Sequence, residues 1–244
     1  MSTPVPNVPR PRFRATQMLG EIELLLRNQS KFFLDIRQGA AVSRKTGAML
    51  FWSAIFFAVF GAVIGSENSA LQAVASAVKL PMLFLMTVLI CMPPLFFFNT
   101  IYESSLSLAQ NFAVVMSGIT VTSVVLLAFA PVTVFFLITT SQYQFYKVLN
   151  VAIFAIAGFV GAGQLARGMH LATLEDWRGK PQRRRILAFW IVLFGFVGSQ
   201  LAWTLRPFFG APGLPFELFR GLGGNFYTDV FASLGEVFGL VTVR

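Results

Sequence analysis

The stretch FAVVMSGITVTSVVLLAFAPVTVFFLIT, Phe112–Thr139, contains no Asp, Glu, Lys, Arg or His. Crossing about 30 Å of hydrocarbon at about 1.5 Å per residue takes roughly 20 apolar residues. The run is therefore long enough to cross a membrane and too long for one straight crossing. Pro131 removes one backbone donor from it, but two crossings would each be too short, so the reading is one tilted or kinked helix. Four more runs pass the same length test, at Gly47–Gly65, Leu80–Phe98, Val148–Ala166 and Ile186–Leu205. The expected fold class is all-α: a polytopic integral membrane helical bundle with five transmembrane helices and an amphipathic helix in each terminal arm.

Composition agrees. The chain is 56% hydrophobic and 12% charged and carries 28 Phe, whereas a soluble domain is about a quarter charged and could not hide that much aromatic surface. The net charge of +9 does not point to nucleic acid, because the cations flank apolar runs instead of forming one accessible patch. All 19 Lys and Arg and all 10 Asp and Glu fall outside the five runs. Eight cations and three anions lie before Gly47, and the Arg167–Arg185 loop holds six cations against Glu175 and Asp176. Positive-inside topology puts both segments in the cytoplasm, and the four intervening crossings return the chain to the same side. The expectation is an integral protein of the bacterial inner membrane, N-terminus cytoplasmic and C-terminus extracytoplasmic.

The arms divide by composition. Residues 1–14 hold four Pro and three Arg and read as a flexible basic tail. Residues 15–46 read as an amphipathic interfacial helix and linker: Met18, Leu19, Ile22, Leu25, Leu26, Phe33 and Ile36 recur at helical spacing. Headgroups are the first candidate to cover that face, and docking beneath the bundle is the alternative. The 47–205 region is the five-span domain. In the 206–244 tail, Pro207, Gly210, Pro212, Gly213 and Pro215 forbid a continuous helix, and Tyr227, Val230, Phe231, Leu234, Val237 and Phe238 then form an amphipathic pattern.

Sites are sparse. With no ionisable side chain in a predicted span, proton or sodium coupling through the membrane core is not expected. Asn99, Tyr102 and Glu103 follow the Pro93-Pro94 break at a membrane boundary and form the candidate ligand or lipid-headgroup site, although interhelical hydrogen bonding accounts for an Asn equally simply. Arg183, Arg184 and Arg185 are a topology signal and candidate anionic-lipid contacts. Gly61, Gly65, Ala157, Gly158, Gly161, Gly195 and Gly198 fall at small-residue spacing and are expected at helix-packing or dimer faces. Cys91 sits within an apolar run, and His170 has no Cys or second His near it, so no metal or cofactor is expected. No catalytic constellation is present; a lipid enzyme would have only Glu103 and His170 to use.

Five spans with a cytoplasmic amphipathic arm and a short outward tail resemble, across residues 47–205, the topology of the Yip-domain family. That likeness implies membrane organisation or partner recruitment, but the short signatures of its eukaryotic members are absent, so it carries no small-GTPase partner. The string LRPFFGAPGLPFELFR, Leu205–Arg220, followed by GNFY ending at Tyr227, is similar to the C-terminal end of uncharacterised bacterial multi-span membrane proteins. The leading functional expectation is a non-enzymatic membrane scaffold or subunit, with the lipid bilayer and other membrane subunits or a second copy as partners. The alternative is a pore, lipid transporter or scramblase-like protein, motivated by the prolines of the second and third runs.

Overall fold

The computed structural model describes residues 15–101, 105–140, 142–173, 180–210, 216–219, 221 and 224–237. These residues form eight helices and no strand: α1 (Ala15–Arg27), α2 (Gln29–Arg37), α3 (Val42–Gly65), α4 (Ala70–Ile101), α5 (Leu108–Thr139), α6 (Tyr143–Ala172), α7 (Lys180–Thr204) and α8 (Phe226–Val237). Five of them, α3 to α7, are long and apolar enough to span a membrane, which makes the chain a multi-pass integral membrane protein. Tyr102, Glu103 and residues 1–14 lie outside the described residues.

The spanning helices pack in the order α7, α4, α3, α5, α6, and α8 touches both α6 and α7. Backbone proximity at small residues sets two of these contacts. A Cβ on Gly65 would lie 2.5 Å from the Gln72 carbonyl oxygen, so α3 approaches the α4 backbone at a point where it could carry no larger residue. Gly61 makes the same approach to Ser76. A Cβ on Gly118 would lie 2.9 Å from the Gly161 oxygen, and one on Gly161 would lie 2.8 Å from the Gly118 oxygen, which joins α5 to α6. Ala157, one turn from Gly161, is fully buried. Gly158 and Gly195 have nothing within 4 Å, and Gly198 has only the Thr87 side chain, at 3.7 Å.

The spans differ from their expected form in one respect. Pro93-Pro94 does not interrupt the second span: α4 runs from Ala70 to Ile101 with Pro81, Pro93 and Pro94 inside it, and α5 likewise continues through Pro131. A proline breaks a soluble helix because water competes for the freed carbonyls. Within a membrane bundle there is no such competitor, and the flanking turns stay helical.

The N-terminal arm is two helices, not one. Asn28 ends α1 and caps α2, its side-chain oxygen accepting from the Lys31 N–H at 3.2 Å. Most of the apolar face is covered by protein: Ile22 and Leu25 of α1 and Phe32, Phe33 and Ile36 of α2 are all buried, while Leu19 and Leu26 are exposed. α1 packs on α3, and α2 packs on α5 and α6. Phe33 fits where Gly168 leaves room, since a Cβ there would lie 2.5 Å from the ring. The Gln110 amide, at the start of α5, donates to the Ile36 and Arg37 carbonyls, each at 2.8 Å, and so satisfies the open end of α2.

Candidate functional site

The two ends of the bundle carry different polar structures. At the arm end, Lys45 lies on the first turn of α3, nearest the arm. It is 2% exposed, which would be costly for a lone ammonium. Two carboxylates meet it: Glu21 Oε2 of α1 and Asp35 Oδ2 of α2, each at 3.1 Å. Its Nζ also stands 4.6 Å from the centre of the Phe32 ring. Arg44 Nε donates to the second oxygen of Glu21 at 2.8 Å. One cation on α3 thus ties both arm helices to the bundle, a clamp and not a vacant site.

At the opposite end, the tail after α7 lies across the start of α4. Gln72, Ser76 and Lys79 fall on one face of α4 at four- and three-residue steps. Gln72 Nε2 donates to the Pro207 carbonyl at 2.7 Å, Ser76 Oγ to that of Phe208 at 2.6 Å, and Lys79 Nζ to that of Pro207 at 3.2 Å. Lys79 also donates to the Leu218 carbonyl and stands 5.0 Å from the Phe219 ring centre. A run rich in Pro and Gly has no helix in which to satisfy its carbonyls, and these donors do it instead. From α6, the Tyr143 hydroxyl donates to Gly210 O at 2.7 Å, and Lys147 pairs with Asp229 of α8 at 2.5 Å. The polar side of α8 therefore faces the bundle, with Ser233 buried and the Tyr227 hydroxyl 3.0 Å from Ser199 Oγ of α7, while Phe231 is exposed.

Beneath this cap lies a group of polar atoms without partners. Glu67, in the loop between α3 and α4, has a buried Oε2 that accepts no hydrogen bond. The same holds for Gln72 Oε1 and Asn150 Oδ1, and the Tyr146 hydroxyl is likewise unbonded. Tyr146 and Asn150 are fully enclosed, one helical turn apart on α6. Asn150 Nδ2 donates to the Tyr146 carbonyl at 2.9 Å. The Glu67 carboxylate acts electrostatically on the Tyr146 phenol, the Asn150 side chain is that phenol's hydrogen-bonding neighbour, and the Tyr146 ring packs edge-on against Phe209 at 6.0 Å. Burial, with no cation to offset it, raises the Glu67 carboxyl pKa from 4.5 to about 7.

The residues singled out from sequence are dispersed by the fold. Asn99 is buried and its amide donates to Asn111 Oδ1 at 2.8 Å, while Asn111 donates to the Leu106 and Ser107 carbonyls. Asn99 is thus an α4–α5 tie. Tyr102 and Glu103 lie outside the described residues. Arg183 is buried, whereas Arg184 and Arg185 are exposed on the same turn of α7. No three His, Cys, Asp or Glu side chains among the described residues are grouped to hold a metal ion.

Sequence reading passed over the cap. Lys79 was placed just outside the run beginning at Leu80, but α4 begins at Ala70 and encloses it. Ionisable groups therefore do occur inside the spanning helices. The spacing of Gln72, Ser76 and Lys79 was the available signal. Glu67 had none, because its burial depends on a tail more than a hundred residues away in sequence. No protein-family model, curated protein or solved structure matches this chain.

Proposed function

We propose that the protein is a non-enzymatic scaffold or subunit of a larger membrane assembly, in a bacterial inner membrane with its N-terminal arm in the cytoplasm and its tail outside. The observation that carries this reading is the position of α7. Only 11% of its apolar window is buried, against 33–39% in the other four spans. It is held mainly by α4, where Trp190 Nε1 donates to the Cys91 carbonyl at 2.6 Å. Its outer side presents Phe189, Val192 and Phe196 around Gly195. A helix-interior glycine costs about 1 kcal/mol relative to alanine. At Gly61, Gly65, Gly118 and Gly161 close backbone packing offsets that cost; at Gly195 and Gly158 nothing among the described residues does. Those two open glycines fit a neighbouring transmembrane helix, from another subunit or a second copy.

Orientation is supported by charge. The arm and the Arg167–Arg185 loop carry the concentrated cations, and the helix count puts both on one side. The pore or scramblase-like alternative was motivated by interrupted spans, and both α4 and α5 run through their prolines.

Single cysteines at Gly195 and Phe189, in a Cys91→Ser background, test the proposal by cross-linking in native membranes. A higher-mass adduct at these positions, absent for a cysteine at the lipid-exposed Ile138, is expected. A monomer at every position contradicts it.

A further inference from the structure

The tail-end cap encloses oxygens that no group among the described residues satisfies. Glu67 Oε2, Gln72 Oε1 and Asn150 Oδ1 are all acceptors, and all are buried without a donor. The Tyr146 hydroxyl has the Asn150 side chain as its hydrogen-bonding neighbour, and a single O–H can serve only one acceptor. Buried acceptors left open in this way are costly. They lie under a lid of tail backbone that Gln72, Ser76, Lys79 and Tyr143 hold down.

Among the described residues, no cation is left over to meet them. The other charged groups described at this end are already engaged. Lys79 of α4 is held by the Pro207 and Leu218 carbonyls, and Lys147 of α6 is paired with Asp229 of α8. Arg206 stacks on Trp203 at 3.5 Å and donates to the Gly221 carbonyl. Glu217 of the tail and Glu236 of α8 add only negative charge, and α3, α5 and α7 bring no charged side chain to this end.

We infer that Glu67, Tyr146 and Asn150 form a binding site for one small positive charge, a proton or an alkali cation, closed by the Phe209–Gly210 segment of the tail. A proton on Glu67 turns one orphaned acceptor into a donor for another. An alkali cation would instead be held by the oxygens together, as hard cations prefer. The perturbed Glu67 carboxyl, about 7, places occupancy by a proton in the neutral range. This inference stands apart from the scaffold reading, since it concerns a site within one chain.

The test is infrared difference spectroscopy of the full-length protein in lipid nanodiscs, titrated from about pH 9 to about pH 5, about two units either side of the expected midpoint. A protonated-carboxyl band should appear with a midpoint near neutrality and vanish in Glu67→Gln. Repeating the titration in sodium, potassium and choline chloride separates the two ligands. A midpoint that sodium or potassium lowers relative to choline identifies an alkali cation competing with the proton, and a midpoint indifferent to the salt identifies the proton alone. No band near neutrality that Glu67→Gln removes, in any of the three salts, overturns the site.

Discussion

The ammonium of Lys79 and the carbonyl of Pro207 meet at 3.2 Å, joining the last residue of α4's polar stripe to a tail segment 128 residues away in sequence. Lys79 serves as an internal donor for chain that cannot bond to itself. Lys79→Met keeps the apolar stem and removes the donor. Loss of hydrogen bonds from a charged group should cost about 1.5–3 kcal/mol. Hydrogen exchange should rise at Phe208–Gly210 and Leu218–Phe219 and stay unchanged in α1 and α2. Uniform exchange along the chain would contradict the anchoring role.

The arm clamp makes a sharper energetic statement. Lys45→Met leaves Glu21 and Asp35 facing each other without their shared cation, and breaking a buried ion pair from one side costs about 3–5 kcal/mol. Glu21→Gln in the Lys45→Met background should restore part of that loss, because it removes a charge that no longer has its buried partner. Thermal unfolding in mild detergent reads both. If the double variant is as unstable as the sum of the two single variants, the groups are not coupled.

Gly158 and Gly161 allow a comparison within one helix, α6. Gly161→Ala must displace Thr122 or the Gly118 backbone, and overpacking of this kind costs about 1–3 kcal/mol. Gly158→Ala, three residues away with nothing within 4 Å, should be neutral or slightly stabilising for the isolated chain. If the partner-facing reading of Gly158 is right, a bulkier Gly158→Leu will weaken assembly without lowering the stability of the isolated chain. Size-exclusion chromatography and unfolding together separate these effects.

Run length and charge placement were enough to locate every span, because hydrocarbon thickness imposes a minimum length that no soluble segment of this chain approaches. They could not fix the helix ends: Lys79, Lys147 and Arg167 read as boundary residues and lie inside α4 and α6. Periodicity showed that the N-terminal arm has an apolar face but not what covers it. That depends on Gly168 leaving room for Phe33, and on Gln110 reaching two carbonyls from another helix. The role of Gly118 was not legible, since one glycine in a span says nothing about which helix it meets; only the fold sets it against Gly161. The cap over Glu67 was hidden altogether, because it is made by backbone carbonyls, which carry no residue signature.

Stability should depend on pH through Glu67. Its carboxyl pKa rises from 4.5 to about 7 on folding, so between those values the folded state holds more proton than the unfolded state. Stability contributed by the protonated group is full below about 4.5 and is lost as pH rises through about 7. Glu67→Gln removes this dependence and should raise the melting temperature relative to wild type above neutrality. A wild-type melting temperature that is flat across that window, or a variant with the same slope, would argue against a perturbed carboxyl.

The topology underlies the assignments of arm, cap and partner face, and single-cysteine labelling tests it most directly. Ser30 is exposed on α2 and Thr228 on α8, and each can be changed to cysteine in a Cys91→Ser background. In intact spheroplasts, a membrane-impermeant maleimide should label Thr228→Cys at once and Ser30→Cys only after the membrane is permeabilised. Labelling of both positions from the same side before permeabilisation would contradict a five-span bundle with its arms on opposite faces.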